Sequence, residues 1–152
     1  QTDAIWIYYG WGGISAELQG LGFNYFYFKD LDPVFDYYTP VIIANNDFLA
    51  EHPDTAKAFL SATAKGYEYA IAHPEEAAQM LIESDTTGSL KDSAELVTAS
   101  QKWMADQYQA EAERWGYIDP SRWNAFYRWL SDNNLVEQPI PENTGFSNDY
   151  LA

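Results

Sequence analysis

The first third of the chain alternates short apolar runs with turn-forming residues, and the remainder carries apolar residues at helical spacing. The apolar runs lie at residues 4–9, 23–28 and 38–45 and are rich in β-branched and aromatic side chains. Runs of this kind, bounded by Gly, Pro and Asp, predict β-strands. Five aromatic rings within residues 23–28 need cover on both faces, so this segment is predicted to be an internal strand.

Beyond residue 45 the spacing predicts helices. Pro53 fits the first position of a long helix, because the N–H that proline lacks has no partner there. Further helices are predicted from 75 through 82, from 92 to about 115 and after Asp119–Pro120, with a capped turn at 46–49. The pattern therefore predicts an α/β chain of about three strands followed by four to five helices.

Composition excludes several classes of function. The 152 residues are enough for one domain with a core. A formal charge of −15 argues against nucleic acid or an anionic membrane as partner, because both attract basic surfaces. The chain has no cysteine, which excludes disulfides, zinc–thiolate sites and cysteine nucleophiles. It shows no signal peptide and begins at Gln1 without an initiator, which favours a fragment or a processed product.

The glycine-rich turn after the first predicted strand combines large aromatic rings with an acid about one helical turn further on. Aromatic rings stack on planar heterocycles, and a carboxylate accepts hydrogen bonds from ring N–H groups or an exocyclic amine. A second acid–aromatic group precedes the third predicted strand. The predicted ligand-binding residues are Tyr9, Trp11, Glu17, Asp36 and Tyr38. The competing interpretation is structural, with a buried strand, a glycine turn and an acid that favours a helix start.

Other kinds of site fit the sequence less well. Gly10 and Gly12 match two glycines of a dinucleotide fingerprint, but Ser15 occupies the third position and the following helix is too short for a crossover. His52 and His73 both precede prolines, without a second ligand at metal spacing. A serine-hydrolase elbow is also missing. We therefore predict no catalytic set, no metal site and no cofactor.

A resemblance to a known family runs through residues 3–17, 36–45, 48–53, 67–78, 116–120 with Trp123, and 145–151. These stretches resemble the NMT1/THI5-like family of ABC-transporter substrate-binding proteins. The run Tyr-Gly-Trp-x-Gly-Ile-x-Ala-Glu at residues 9–17 is closest to the pyrimidine binders of that family. The similarity covers essentially the whole chain but corresponds to the C-terminal half of such a protein.

The resemblance implies a two-lobed periplasmic-binding-protein-like (type II) fold with ligand between the lobes. Residues 1–38 would form the end of the second lobe and the hinge crossover, and residues 39–152 the helical completion of the first lobe. The implied ligand is a thiamine pyrimidine precursor, with Tyr9 and Trp11 stacked on its ring and Glu17 accepting from its amine. Asp36 and Tyr38 would contribute from the hinge side. Riboflavin or a sulfonate is the alternative ligand on the same fold.

The resemblance also implies partners and a location. A solute-binding protein of this family delivers its ligand to an ABC permease and is extracytoplasmic, either periplasmic or lipid-anchored at the cell surface. The fungal pyrimidine synthases of the superfamily carry a cysteine-rich motif, so a chain without cysteine is expected not to be an enzyme. An isolated half could dimerise or swap strands to cover its exposed edges, or act as a structural fragment without ligand.

Overall fold

The computed structural model describes residues 3–151, and these residues form helices, turns and extended segments without any β-strand. The predicted α/β architecture, with about three strands in a type II periplasmic-binding-like fold, is therefore wrong for the described chain. A π-helical turn spans Tyr9–Gly13 and a 3₁₀ turn spans Pro33–Phe35. The α-helices are α1 (Ile14–Leu18), α2 (Phe28–Leu31), α3 (Asn46–Glu51), α4 (Pro53–Ala72), α5 (Pro74–Ser84), α6 (Ala94–Ala105) and α7 (Pro120–Asp132).

The segments predicted as strands are largely extended but have no strand partner within residues 3–151. Tyr8 has φ −89° and ψ 119°, and Tyr27 has φ −89° and ψ 139°, so both lie in the β region. Side-chain type favours this backbone conformation, whereas a strand also needs hydrogen bonds to a neighbouring strand. Ile43, at the centre of the third segment, is 88% exposed. The sequence therefore predicted the local conformation of these segments and failed on their pairing.

Helix starts were predicted more accurately, because the signals that set them are local. Pro53 and Pro120 each begin a helix, as expected for proline at the first helical position. The helix predicted from 75 begins one residue earlier, at Pro74, for the same reason. The Asp119 carboxylate caps α7 by accepting a hydrogen bond of 2.8 Å from the Arg122 amide. The helix predicted from 92 to about 115 is too long, since α6 ends at Ala105 and a left-handed residue follows at position 110, with φ 48°.

The chain forms two compact units. The first unit comprises Gln1–Asn24 and Thr63–Trp115, and the second comprises Tyr25–Ala62 and Gly116–Ala152. The predicted assignment of residues 1–38 and 39–152 to two lobes stays a prediction. No helix within residues 3–151 is both long enough and apolar enough to cross a membrane.

The core of the first unit lies between α5 and α6. Ala78, Ile82 and Val97 are buried there, and Leu90 and Ala94 pack against them. The loop that joins the two helices is organised by the Asp85 carboxylate. One of its oxygens accepts hydrogen bonds from the amide and hydroxyl of Thr87, at 2.8 and 2.6 Å. The other accepts one from the Leu90 amide at 2.8 Å, which ties the loop to a residue of the core.

The glycine-rich turn packs directly on α6. A side chain at Gly10 would place its Cβ 2.8 Å from Met104 Sδ and 2.9 Å from Trp103 Cζ3, both closer than packed atoms allow. The Ser100 hydroxyl donates a hydrogen bond to the Gly10 carbonyl and fixes the turn from the same face. Gly10 is therefore required for close approach, and not for an unusual backbone angle.

In the second unit the irregular tail after α7 is held to that helix by side-chain hydrogen bonds. The indole N–H of Trp123 donates to the Thr144 carbonyl at 2.9 Å. The buried Asn124 amide both donates to Asn143 Oδ1 and accepts from the Asn143 backbone N–H. Further along, the Asn148 side chain pairs with the backbone N–H and C=O of Ile118. These bonds give residues 143–148 a defined path without regular secondary structure.

Replacing Gly10 by Ala should destabilise the protein by about 1–3 kcal/mol, because the added methyl group overlaps Trp103 and Met104. Urea unfolding followed by circular dichroism measures the change. Gly66→Ala is the matched control: Gly66 lies in α4 with open space around it, so alanine there should stabilise the protein by about 0.5–1 kcal/mol. Equal effects of the two substitutions would contradict the packing of the turn on α6.

The Asp85 loop should make stability depend on pH in the acid range. Hydrogen bonds from the Leu90 amide, then from the hydroxyl and amide of Thr87, lower the pKa of Asp85 from its ordinary value of 3.8. A depressed pKa means that the stabilisation is present above about 3.8, the value in the unfolded chain, and is lost as the pH falls through the folded value. Asp85→Asn should thus lower the thermal midpoint at pH 7, and the deficit should shrink progressively below pH 3.8.

Thermal unfolding followed by circular dichroism between pH 7 and pH 2.5 measures this dependence. Asp92→Asn, which removes an exposed acid just before α6, serves as the control and should leave the midpoint nearly unchanged across the range. A deficit for Asp85→Asn that stayed constant down to the lowest pH would contradict the role of the ionised carboxylate.

Candidate functional site

In the first unit, the π-helical turn and α1 bring Tyr9 and Glu17 together. The Tyr9 hydroxyl donates a hydrogen bond of 2.7 Å to Glu17 Oε1. The Tyr9 ring lies 5.2 Å from the Trp103 ring of α6, at an interplanar angle of 50°. Its other neighbour is Gly13, where an added Cβ would approach Tyr9 Cδ2 to 2.5 Å. The ring of Tyr9 is thus held between α6 and a glycine, and its hydroxyl is held by an acid.

Trp11 lies on the same turn in a different environment. Its side chain is 46% exposed, whereas Gly10 and Gly13 on either side are buried. The Trp11 amide donates to the Tyr8 carbonyl at 3.1 Å, which closes the turn. The turn therefore fixes the backbone beneath Trp11 and leaves much of the indole accessible.

In the second unit, Asp36 and Tyr38 are joined by Arg122, a residue of α7. Arg122 Nη2 lies 2.8 Å from Asp36 Oδ1, and Arg122 Nε donates to the Asp36 backbone carbonyl. The guanidinium carbon lies 4.5 Å from the centroid of the Tyr38 ring, a cation–π distance. The side chains of this ion pair are 30% and 40% exposed, so solvent still reaches both.

The hydroxyl of Tyr38 is held by the start of α7. It accepts a hydrogen bond of 2.9 Å from the Asp119 backbone N–H, and the Asp119 carboxylate in turn accepts from the Arg122 amide. The Tyr38 ring also faces the Trp123 ring, with centroids 6.5 Å apart and planes 30° from parallel. Residues at the start of α7 therefore contact both the ring and the hydroxyl of Tyr38.

An open cavity of about 460 Å³ lies beside this network in the second unit. Ligand pockets for small molecules have volumes of roughly 300–1,000 Å³, so the volume suits a single heterocycle. Polar and apolar side chains from α2, the 3₁₀ turn and α7 line it. They are Lys29, Asp30, Pro33, Val34, Asp36, Arg122 and Ala125.

The chemistry of both groups is recognition by acceptors and aromatic faces. Carboxylate oxygens accept hydrogen bonds from amines, and exposed rings offer faces for stacking. Over residues 3–151 we find no group of three or more His, Asp or Glu side chains arranged to hold a metal ion. Each group thus offers, within its own unit, carboxylate acceptors and aromatic faces.

The structure assigns the predicted site residues to two groups. Tyr9, Trp11 and Glu17 lie in the first unit, where the Tyr9–Glu17 pair is in direct contact. Asp36 and Tyr38 lie in the second unit and share Arg122 as a neighbour. Their binding of a ligand stays a prediction.

Sequence reasoning missed two of the residues that shape these groups. Trp103 contacts Tyr9 from a helix far away in the sequence, and helical spacing carries no information about such a contact. Arg122 was overlooked, although one signal pointed to it. The chain has only 8 basic residues against 23 acids, so a basic residue just inside a capped helix start was worth noting.

The chain is similar to known proteins of one family. Residues 1–77 match the family model described as "NMT1/THI5 like". Over 127 residues, or 83% of its length, the chain is 26% identical to a formylaminopyrimidine-binding protein of Halalkalibacterium halodurans. Over 118 residues, or 75% of its length, it is 28% identical to a 4-amino-5-hydroxymethyl-2-methylpyrimidine phosphate synthase of Candida albicans.

The chain spans only part of these relatives. The aligned residues cover 38% of the binding protein and 31% of the synthase. The family match includes every predicted site residue, since all five lie within residues 1–77. Trp103 and Arg122 lie outside that match.

Replacing Tyr9 by Phe should lower the free energy of unfolding by about 0.5–1 kcal/mol, because it removes the hydroxyl that donates to Glu17 and leaves the ring on Trp103. Chemical unfolding measures the loss. Tyr8→Phe is the control, since Tyr8 is 69% exposed, and it should change stability by less than about 0.5 kcal/mol. If Tyr9→Phe remained equally costly when Glu17 was already Ala, which has no acceptor at this position, the cost would not come from this hydrogen bond.

Proposed function

Because the chain belongs to the NMT1/THI5-like family, we propose that it is part of a binding protein for a small planar heterocycle, a pyrimidine of the thiamine-precursor type. The observation that carries the proposal is the alignment of 83% of the chain with a formylaminopyrimidine-binding protein. The second relative, named as a synthase of a pyrimidine phosphate, supports the same class of molecule.

The geometry of the first unit supports this ligand class. An aminopyrimidine is flat and offers N–H donors, which suit an aromatic face and a carboxylate. Trp11 has an accessible indole, and Glu17 keeps a second carboxylate oxygen beyond the one that accepts from Tyr9. In this proposal Trp11 stacks on the ring, Glu17 accepts from the amine, and Tyr9 holds the Glu17 side chain in place.

Asp36 and Tyr38 are proposed as contributors from the second unit. Asp36 lines the cavity of about 460 Å³, and the carboxylate is a further acceptor for an amine. Tyr38 offers a ring whose orientation is set by Arg122 and Asp119.

Binding is proposed in preference to synthesis. Both functions occur among the relatives by name. The resemblance assigns a cysteine-rich motif to the synthases, and these 152 residues contain no cysteine.

We further propose that the whole protein delivers its ligand to an ABC permease from an extracytoplasmic position, periplasmic or lipid-anchored. This follows from the family resemblance and from the binding-protein relative. Dimerisation of the chain is a separate proposal, supported by apolar residues exposed on its extended segments, such as Ile5 at 80% and Ile43 at 88%.

A ligand screen on the intact protein tests the proposed function. Thermal unfolding would be followed with formylaminopyrimidine, 4-amino-5-hydroxymethyl-2-methylpyrimidine, thiamine, riboflavin and taurine. A pyrimidine should raise the midpoint most, because a ligand that binds only the folded state stabilises it in proportion to its affinity. A larger shift with riboflavin or taurine would identify the alternative ligand class, and no shift with any compound would favour a structural role.

Trp11→Ala and Glu17→Gln should each weaken binding of the best pyrimidine by about tenfold or more, because the first removes the stacked ring and the second removes the negative charge that strengthens the hydrogen bond from the amine. Isothermal titration calorimetry measures the affinity. The matched controls are Trp6→Ala, an exposed tryptophan of the preceding segment, and Glu68→Gln, an exposed acid of α4. Affinities that fell equally in the controls, or that stayed unchanged in both site variants, would contradict the proposed contacts.

A further inference from the structure

Arg122 lies outside the family match and outside the predicted site, yet it contacts both predicted residues of the second unit. We infer that Arg122 is a positioning residue: it holds Asp36 and Tyr38 in the single arrangement in which they meet the ligand. The inference rests on the proposed function, because it assigns a role to Arg122 within that site.

The first step concerns Asp36, which Arg122 holds at two points. Nη2 pairs with the Asp36 carboxylate, and Nε donates to the Asp36 backbone carbonyl. One contact fixes the side chain and the other fixes the peptide that carries it. The planar guanidinium presents its donors in a rigid fork and can serve both acceptors, whereas a lysine ammonium is a single point charge on a flexible stem.

The second step concerns Tyr38. The guanidinium lies over the Tyr38 ring at 4.5 Å, and the Asp119 backbone N–H holds the Tyr38 hydroxyl. Arg122 is itself anchored, since its amide donates to the carboxylate of Asp119. The start of α7 therefore sets the rotation of the Tyr38 ring through one side chain and one backbone group.

The third step is that residues 36–38 have no regular secondary structure to fix them. Their conformation depends on side-chain contacts with α7. One of these contacts is apolar and independent of Arg122, since the Tyr37 ring is stacked on Phe126 at 4.2 Å. A second comes from the preceding 3₁₀ turn, where the Phe35 ring meets Trp129 at 5.0 Å. These rings attach the segment to α7, and Arg122 determines the orientation of the Asp36 and Tyr38 side chains.

This separation makes the role testable, because loss of Arg122 should disorder Asp36 and Tyr38 without detaching the segment. Partly exposed ion pairs contribute little to stability, so the fold should survive the substitution. Affinity should fall, because a ligand must then order two side chains that are already ordered in the wild type.

The experiment compares Arg122→Gln, Arg122→Lys and Arg128→Gln in the intact protein. Arg128 also lies on α7 and pairs with an acid, Glu142, so its substitution changes charge equally and serves as the control. Affinity for the best pyrimidine of the screen is measured by calorimetry. Thermal midpoints report stability, and fluorine NMR of 3-fluorotyrosine-labelled protein, assigned with Tyr38→Phe, reports the Tyr38 ring.

We expect Arg122→Gln to weaken binding about tenfold and to shift or broaden the Tyr38 resonance, with a thermal midpoint close to that of Arg128→Gln. Arg122→Lys should recover part of the affinity, because it restores the charge opposite Asp36 but not the guanidinium fork. Arg128→Gln should keep wild-type affinity and leave the Tyr38 resonance in place.

Three outcomes would overturn the inference. The first is equal affinity of Arg122→Gln and Arg128→Gln, and the second is a Tyr38 resonance unaffected by Arg122→Gln. The third is a loss of affinity matched by a large fall in the midpoint of both Arg122 variants, which would make Arg122 merely structural. Absence of pyrimidine binding by the wild type would instead refute the proposed function itself, so the two failures are distinguishable.

Discussion

The close approach of the glycine-rich turn to α6 is the constraint from which the candidate site of the first unit follows. Because Gly10 has no side chain, its backbone reaches Trp103 and Met104, and its carbonyl reaches the Ser100 hydroxyl. That contact puts the Tyr9 ring on Trp103, and from there the Tyr9 hydroxyl reaches Glu17. Trp11, one position beyond, is left accessible. The packing of a backbone on a helix thus decides that the Tyr9 ring is packed against α6 and that the Trp11 ring stays accessible to solvent.

In the second unit the side chains of the candidate site are also held in place, but by charge and not by close packing of a glycine. Here the polar side chains are arranged by charge, with Arg122 between Asp36 and Tyr38. Acids outnumber bases 23 to 8 in the chain, so most carboxylates have no basic partner available to them. The ion pair with Arg122 therefore fixes the orientation of the Asp36 carboxylate. Aromatic stacking on α7 supplies the attachment that this pair alone would not provide.

Features set by neighbouring residues were predictable from the sequence, and features set by distant ones were not. The helix starts at Pro53 and Pro120 follow from the geometry of proline, and the structure confirms them. Extended backbone around Tyr8 and Tyr27 follows from side-chain type, but strand pairing requires a second segment, and residues 3–151 contain no such pair. The aromatic and acidic residues of the candidate site were chosen by residue type, and their binding of a ligand stays a prediction. The contacts that Trp103 and Arg122 make with these residues could not be predicted, because each contact comes from a helix far away in sequence.

The exposed extended segments bear on the behaviour of the protein in concentrated solution. Ile5 and Ile43 expose apolar side chains, which favour association between molecules. A net charge of −15 opposes such association through mutual repulsion of the molecules. Salt screens this repulsion, and acidification towards the isoelectric point near 4.1 removes it. The acidic surface therefore opposes aggregation, and this protection weakens when the salt concentration rises or the pH falls towards the isoelectric point.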